Sequence, residues 1–272
     1  MAAEDKTYLH GFSEKEQTRL YEQAKTLEHT IYSSVDFSQS SKLIEIGCGV
    51  GAQSEILLRR FPNIELTSID LSTTQLNAAN KHIQSFPALA KRWSSQKMDA
   101  SKIDFKTASF DSAFICWVLE HVPTVDRVIA EAYRILEPEA KIVINEVMNS
   151  TFFLDPYSPK VWKYWMAFND LQFNQKGDPF VGAKLGSLLE AQGFKDIHTI
   201  VKTLHYDRRT PKLREILMND WLDLLLSAAP NLIENNLTTK DEVKEMEDEF
   251  RSVIENKNAI IYYSFMQAHA IR

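Results

Sequence analysis

Apolar and polar positions along this chain switch repeatedly between a helical period and short β-like runs. Over residues 13–31, Leu20, Ala24, Leu27 and Ile31 share one helical face, and Ser13 with Glu16 forms a capping-box pattern. The aromatic-rich segment Tyr8-Leu9-His10-Gly11-Phe12 precedes that predicted helix. A first strand is predicted at 42–46, then a helix from Ala52 to Arg60 that stops before Pro62. A second strand covers 64–69, and Ser72 with Gln75 opens the helix after it. The third strand ends at Met98-Asp99. The fourth, Phe110 to Trp117, is nearly all apolar after its start, as a central strand covered on both faces must be. A helix carrying Val125, Val128, Ile129, Ala132 and Leu136 leads into a fifth strand at 141–145. Asp178 as N-cap and Pro179 at the first position open a helix predicted to reach Gln192 and end at Gly193. Two late β-like runs, 196–206 and 259–270, enclose a long stretch of helical pattern.

This alternation makes the chain an α/β protein with a doubly wound sheet and right-handed crossovers. Segments 1–35, 149–177 and 207–257 exceed a minimal sheet domain. They are read as a leader helix or lid (1–35) and as cap insertions within the main domain (36–272). A length of 272 residues suits one such domain with embellishments. The formal charge of −6 argues against a broad nucleic-acid surface. The charged run from Asp241 to Glu255 mixes signs at helical spacing, as a solvated face does. No apolar run approaches the ~20 residues that cross a bilayer, and the opening Met1-Ala2-Ala3-Glu4-Asp5-Lys6 lacks the order of a signal peptide. The expectation is a cytoplasmic protein, monomer or homodimer, that acts on a small molecule without a nucleic-acid or membrane partner. Cys48 and Cys116 fall in buried-strand contexts and read as small reduced hydrophobes. None of the seven histidines lies at ligand spacing from them, so no metal is expected.

The densest chemistry follows the first strand, in Glu45-Ile46-Gly47-Cys48-Gly49-Val50-Gly51. Glycine turns of this kind let backbone approach a ligand, having no Cβ to clash. Asp70 closes the second strand and is placed to hold a ribose, which points to a nucleoside-bearing cofactor at the carboxyl ends of a parallel sheet. Gly47, Gly49 and Ala52 also satisfy the dinucleotide pattern G-x-G-x-x-A, so a nicotinamide-dependent oxidoreductase stays open on the glycines alone. Glu45 inside the strand end, the G-x-G-x-G spacing and Asp99 at the end of strand three tilt the choice. So do the two adjacent late β runs, compatible with an antiparallel pair at the sheet edge.

The whole pattern resembles the class I S-adenosylmethionine-dependent methyltransferases, with the small-molecule and ubiquinone-type group nearest. The likeness covers roughly residues 40–205 plus the last strand. It rests on the glycine turn, Asp70, Met98-Asp99-Ala100, and Phe110-Asp111 leading to Val118-Leu119-Glu120-His121-Val122. It implies a seven-stranded Rossmann-like sheet with an antiparallel terminal hairpin and a helical cap. It also implies S-adenosylmethionine as cofactor and S-adenosylhomocysteine as product. Gly47, Cys48 and Gly49 would lie against the methionine portion with Glu45 near it, Asp70 on the ribose and Leu71 beside the adenine. Asp99 and Ala100 would meet the adenine ring, and Trp117 and Val118 would floor the sulfonium. Tyr8 and Gln75 join this cofactor set. Where the group commonly has Pro-Gly-Gly, this chain reads Glu137-Pro138-Glu139-Ala140, away from the cofactor.

Methyl transfer is an in-line displacement, so the protein mainly aligns and desolvates. A base helps when the acceptor is a hydroxyl. His121 and Glu120 follow strand four where a base would stand, although His121 also suits a structural turn. Glu146 follows strand five toward the same edge, or is a solvated loop acid. Trp162, Tyr164, Trp165, Phe168 and Phe173 read mostly as cap core. Trp162, Trp165 and Phe168 are the candidates for an apolar or cation-binding acceptor pocket, since ring faces suit ammonium groups, together with Tyr8 and His10. A non-catalytic cofactor-binding module is a further reading, and a protein or RNA methyltransferase fits the acidic balance poorly.

Overall fold

The computed structural model describes residues 9–11 and 13–272. The first helix, α1 (Glu14–Tyr32), starts where the Ser13 hydroxyl accepts the Glu16 N–H. The chain then alternates through β1 (Lys42–Ile46), α2 (Ala52–Arg60), β2 (Glu65–Asp70), α3 (Thr73–Gln84), the short α4 (Pro87–Ala90) and β3 (Trp93–Lys97). Next come β4 (Phe110–Cys116), α5 (Val125–Ile135), β5 (Leu136–Val147), β6 (Phe153–Asp155) and α6 (Pro159–Asn174). The remainder is α7 (Leu185–Ala191), β7 (Lys195–Tyr206), α8 (Pro211–Glu234), α9 (Lys240–Glu255) and β8 (Ile260–Ile271).

The strands form one eight-stranded sheet in the order β3-β2-β1-β4-β5-β8-β6, with β7 also on β8. Strands β1 to β5 are parallel, and β8 runs antiparallel to all three of its partners. Because β7 occupies one edge of β8 from Ile261 to Ile271, β5 and β6 must share the other edge. They do so end to end, β5 against Phe265–Ile271 and β6 against Ile260–Tyr262. The expected seven-stranded sheet is thus present, with the short β6 added in line with β5.

Strand alternation divides the core in two. Leu43, Leu66, Phe114, Val143 and Phe265 face α1, α2 and the cap helices α6, α8 and α9. Ile44, Ile46, Ile69, Ile115, Ile142 and Ile144 face α5 and α7. Among the described residues, no helix is long and apolar enough to cross a membrane.

Two boundaries differ from expectation. Leu136 belongs to β5, paired with Phe110, because a register shift between Phe110 and Ser112 absorbs the Glu137–Ala140 segment. The helix expected from Asp178 begins only at Leu185. Ahead of it Asp178 caps a turn instead, its side chain accepting the Phe180 N–H at 3.0 Å while its N–H donates to Glu120 O at 2.9 Å. The turn is then pressed onto β5 at Gly182, where a Cβ would stand 2.5 Å from Val147 O.

Candidate active site

Strand β1 stops at Ile46, and the backbone enters left-handed turns at Gly47 (φ 76°), Gly49 (φ 52°) and Gly51 (φ 79°). Gly47 is fixed by space as well as by conformation. A Cβ there would lie 2.4 Å from Val118 Cγ2, so the turn and the loop after β4 touch without a side chain between them. At Gly49 a Cβ would meet nothing within 4 Å. Asp70, at the end of β2, accepts the Gly49 N–H and the Ser72 N–H, both at 2.8 Å. Burial raises its pKa against the pull of those two bonds.

β1 and β4 are neighbours whose connections leave in opposite directions, the point where an open α/β sheet holds its ligand. A cavity of about 340 Å³ opens there beneath α1 and the cap. One half is lined by Gly47, Cys48, Gly49, Asp70, Leu71, Gln75, Asp99, Ala100, Trp117 and Val118. Trp117 has φ 55°, a conformation that an ordinary side chain adopts only under constraint. Asp99 accepts the Ser101 N–H and hydroxyl at 2.8 and 2.7 Å.

The other half is walled by Glu120, His121, His10, Trp165 and Phe168. His121 Nε2 lies 3.6 Å from Glu120 Oε1, and Gln172 Nε2 donates to Glu120 Oε2 at 2.8 Å. Gln172 belongs to a buried amide network. Asn149 Nδ2 donates to Asn169 Oδ1 at 2.8 Å, and the Tyr263 hydroxyl donates to Asn149 Oδ1 at 2.9 Å. His10 Nδ1 pairs with Ser227 Oγ at 2.6 Å, and burial, then the Arg19 charge, hold the ring well below the usual histidine range.

Residues 44–144 match the sequence profile described as the methyltransferase domain family. Those residues carry the pattern of a methyltransferase domain. Over its aligned part the chain is 27% identical to a sterol 24-C-methyltransferase of Candida albicans, covering 41% of this chain and 29% of that enzyme. It is also 27% identical to a demethylmenaquinone methyltransferase of Lactobacillus johnsonii, covering 57% of this chain and 68% of the relative. The chain thus spans less than a third of the Candida albicans enzyme. In fold it is similar to a Haemonchus contortus phosphoethanolamine N-methyltransferase 2 solved with phosphomonomethylethanolamine and S-adenosylhomocysteine. That likeness has a TM-score of 0.55 and 17% identity, over 91% of this chain and 52% of that one.

Three residues expected at the cavity point elsewhere. Glu45 turns beneath α2, where its carboxylate accepts the hydroxyls of Ser54 and, at 2.8 Å, Ser68. Burial there pushes its pKa up to about 7. It shares the Leu43 face of β1, so alternation aims it at α2 and away from the turn. Glu146 is fully buried behind the loop after β4, accepting the N–H groups of Val118 (2.9 Å), Leu119 (2.7 Å) and Glu120 (3.3 Å). Burial and the neighbouring Glu120 raise its pKa, so the expectation of a cleft-facing base fails for it. Trp162 packs on Phe152, ring centroids 5.8 Å apart, one turn beyond the cavity-lining Trp165 and Phe168. Tyr8 lies outside the described residues.

Sequence reasoning passed over part of the wall. Leu20, Ala24 and Leu27 line the cavity from α1, where their apolar stripe reads as ordinary core, with the polar Arg19 and Gln23 beside them. Asn149, Trp221, Leu224, Tyr263 and Phe265 join from distant segments, without a local signal in the sequence. The first half of the cavity fits an adenosine-bearing cofactor on this chain's own geometry. Open space faces Gly49, a carboxylate stands at the end of β2, and apolar Leu71 and Ala100 flank the position of a flat base.

Proposed function

We propose that this protein transfers the methyl group of S-adenosylmethionine to a small-molecule acceptor (at N, O or C) by in-line displacement. The observation that carries this is a single cavity with two unlike halves. A glycine turn with Asp70 and Asp99 lies on one side, and an aromatic wall with Glu120 and His121 lies on the other. The relatives named above are methyltransferases, among them enzymes named for a sterol and for demethylmenaquinone, which supports a small organic acceptor here.

In this reading Asp70 accepts from the ribose hydroxyls while its bonds to the Gly49 and Ser72 N–H groups hold it in place. Leu71 and Ala100 cover the adenine, and Asp99 accepts from its amino group. Trp117 and Val118 close the floor where the two halves meet. The cofactor brings the activated methyl group. The protein aligns the acceptor and excludes water, for which α1 and the cap form the roof. His121 takes the acceptor's proton where the nucleophile is a hydroxyl, with Glu120 orienting its ring. Residues 1–35 act as a lid, and the segments near 149–177 and 207–257 as the acceptor-shaping cap. A cytoplasmic monomer or homodimer without nucleic-acid binding accords with the net charge of −6.

The test is parallel calorimetric titration with S-adenosylmethionine, S-adenosylhomocysteine and NADH. Binding of the two sulfur nucleosides alone, in the micromolar range, is the expected result. Binding of NADH alone would make the glycine turn a dinucleotide site and overturn the reading.

A further inference from the structure

Among the described residues, charge is scarce in the acceptor half of the cavity. Outside the cofactor side the lining residues include two charged side chains, Arg19 and Glu120. Arg19 is committed to Glu16, with Nε donating to Oε2 at 2.8 Å and Nη2 to Oε1 at 2.6 Å, and both residues are buried. The Arg19 charge also draws the Asp220 carboxyl down against the rise that burial causes. Glu120 is committed in turn to the Gln172 amide and, at 3.6 Å, to His121. The rest of the wall includes Leu20, Trp165, Phe168, Trp221, Leu224 and Phe265. A buried charge without a partner is costly, and each charge here is already answered by the protein. Among the described residues, a phosphorylated or permanently cationic acceptor would find no uncommitted counter-charge.

Resting on the methyltransferase reading above, we infer that the acceptor is an uncharged, hydrocarbon-rich ring compound that presents a hydroxyl to His121. The hydroxyl gives its proton to the imidazole as its oxygen lone pair forms the O–CH3 bond. The electron pair of the breaking C–S bond returns to sulfur, leaving a neutral thioether. His121 suits this role because its side chain keeps 24% exposure at the cavity against 10% for Glu120, which stands behind it.

The test is titration of the full chain, saturated with S-adenosylhomocysteine, with three probes of one ring size: 2-naphthol, 2-naphthyl phosphate and (2-naphthyl)trimethylammonium. 2-Naphthol is expected to bind about tenfold or more tighter than either charged probe. Equal or tighter binding of a charged probe would overturn the inference, as would failure of all three to bind the loaded protein. Failure of S-adenosylhomocysteine itself to bind would instead strike the cofactor reading. Glu16→Gln, which releases Arg19 from its carboxylate, is expected to improve 2-naphthyl phosphate binding about tenfold. Leu20→Arg, which adds a cation without removing a buried partner, should do the same in a protein whose melting temperature is retained. Unchanged phosphate affinity in both folded variants would refute the argument from charge.

Discussion

From Gly47 to Asp99 the cavity is shaped by backbone: turns at strand ends, N–H groups aimed at a carboxylate, and a left-handed residue where the loop after β4 meets the turn. The other half is shaped by side chains brought from the segment before α1, the loop after β4, α1, α6, α8 and β8, far apart in the chain. The first half is rigid because the sheet holds its strand ends in register. The second depends on how several separately packed elements meet. Contacts common to any acceptor can therefore sit on the sheet, while those that select one acceptor can vary by side chain on the cap without disturbing it.

Substitutions that act on one half alone sharpen this contrast. His121→Ala should reduce turnover of a hydroxyl acceptor by about 10²–10⁴-fold while leaving the calorimetric affinity for S-adenosylhomocysteine unchanged. A parallel loss of cofactor affinity would mean that the halves are not separable. Gly47→Ala should do the opposite. Its Cβ would stand 2.4 Å from a branched, stiff Val118 side chain at a φ of 76°, and cofactor affinity should fall by about a hundredfold. Asp70→Ala removes the acceptor of two backbone N–H groups along with the ribose contact, for an expected loss of roughly 10–100-fold. An unchanged dissociation constant would reject the ribose assignment.

The smallest effect on the site is expected from Glu45→Gln, which touches neither half. Glu45 titrates near 7 in the fold against 4.5 for an ordinary glutamate, so the folded chain binds the extra proton. Its contribution is fully present below pH 4.5 and is lost as the pH rises through 7, about 3 kcal/mol in all. Glutamine keeps an oxygen for Ser54 and Ser68 without the charge. The variant's melting temperature should decline less than that of the parent between pH 4.5 and 7. An identical slope would mean that Glu45 is ionised in the fold throughout.

What could be read in advance follows the same division. The glycine turn, Asp70 and Asp99 stand in fixed order along short stretches, because strand ends and the turns that follow them are continuous in sequence. Glu45 and Glu146 misled because a strand presents successive residues to opposite faces. An acid near a strand end is aimed by parity, and in Glu45 that parity leads beneath α2. Trp165, Phe168 and Trp162 share an aromatic helix, yet one turn decides which of them reach the cavity. Trp221 and Phe265 gave no signal because tertiary packing alone unites them. Leu136 misled because its apolar character suits the last turn of α5 and the first position of β5 equally.

The placement of β8 bears on how the molecule is assembled. This strand follows β5 and β7 in the chain, yet it lies between them and supplies Tyr263 and Phe265 to the cavity. As the polypeptide leaves the ribosome, β5 and β7 are both made before the strand that joins them, with two unpaired edges waiting. Long-range pairing of this kind closes slowly, and the exposed edges are where chains stick to one another. The acceptor wall is complete only when β8 inserts, so the step that seals the sheet also makes the cavity competent for chemistry.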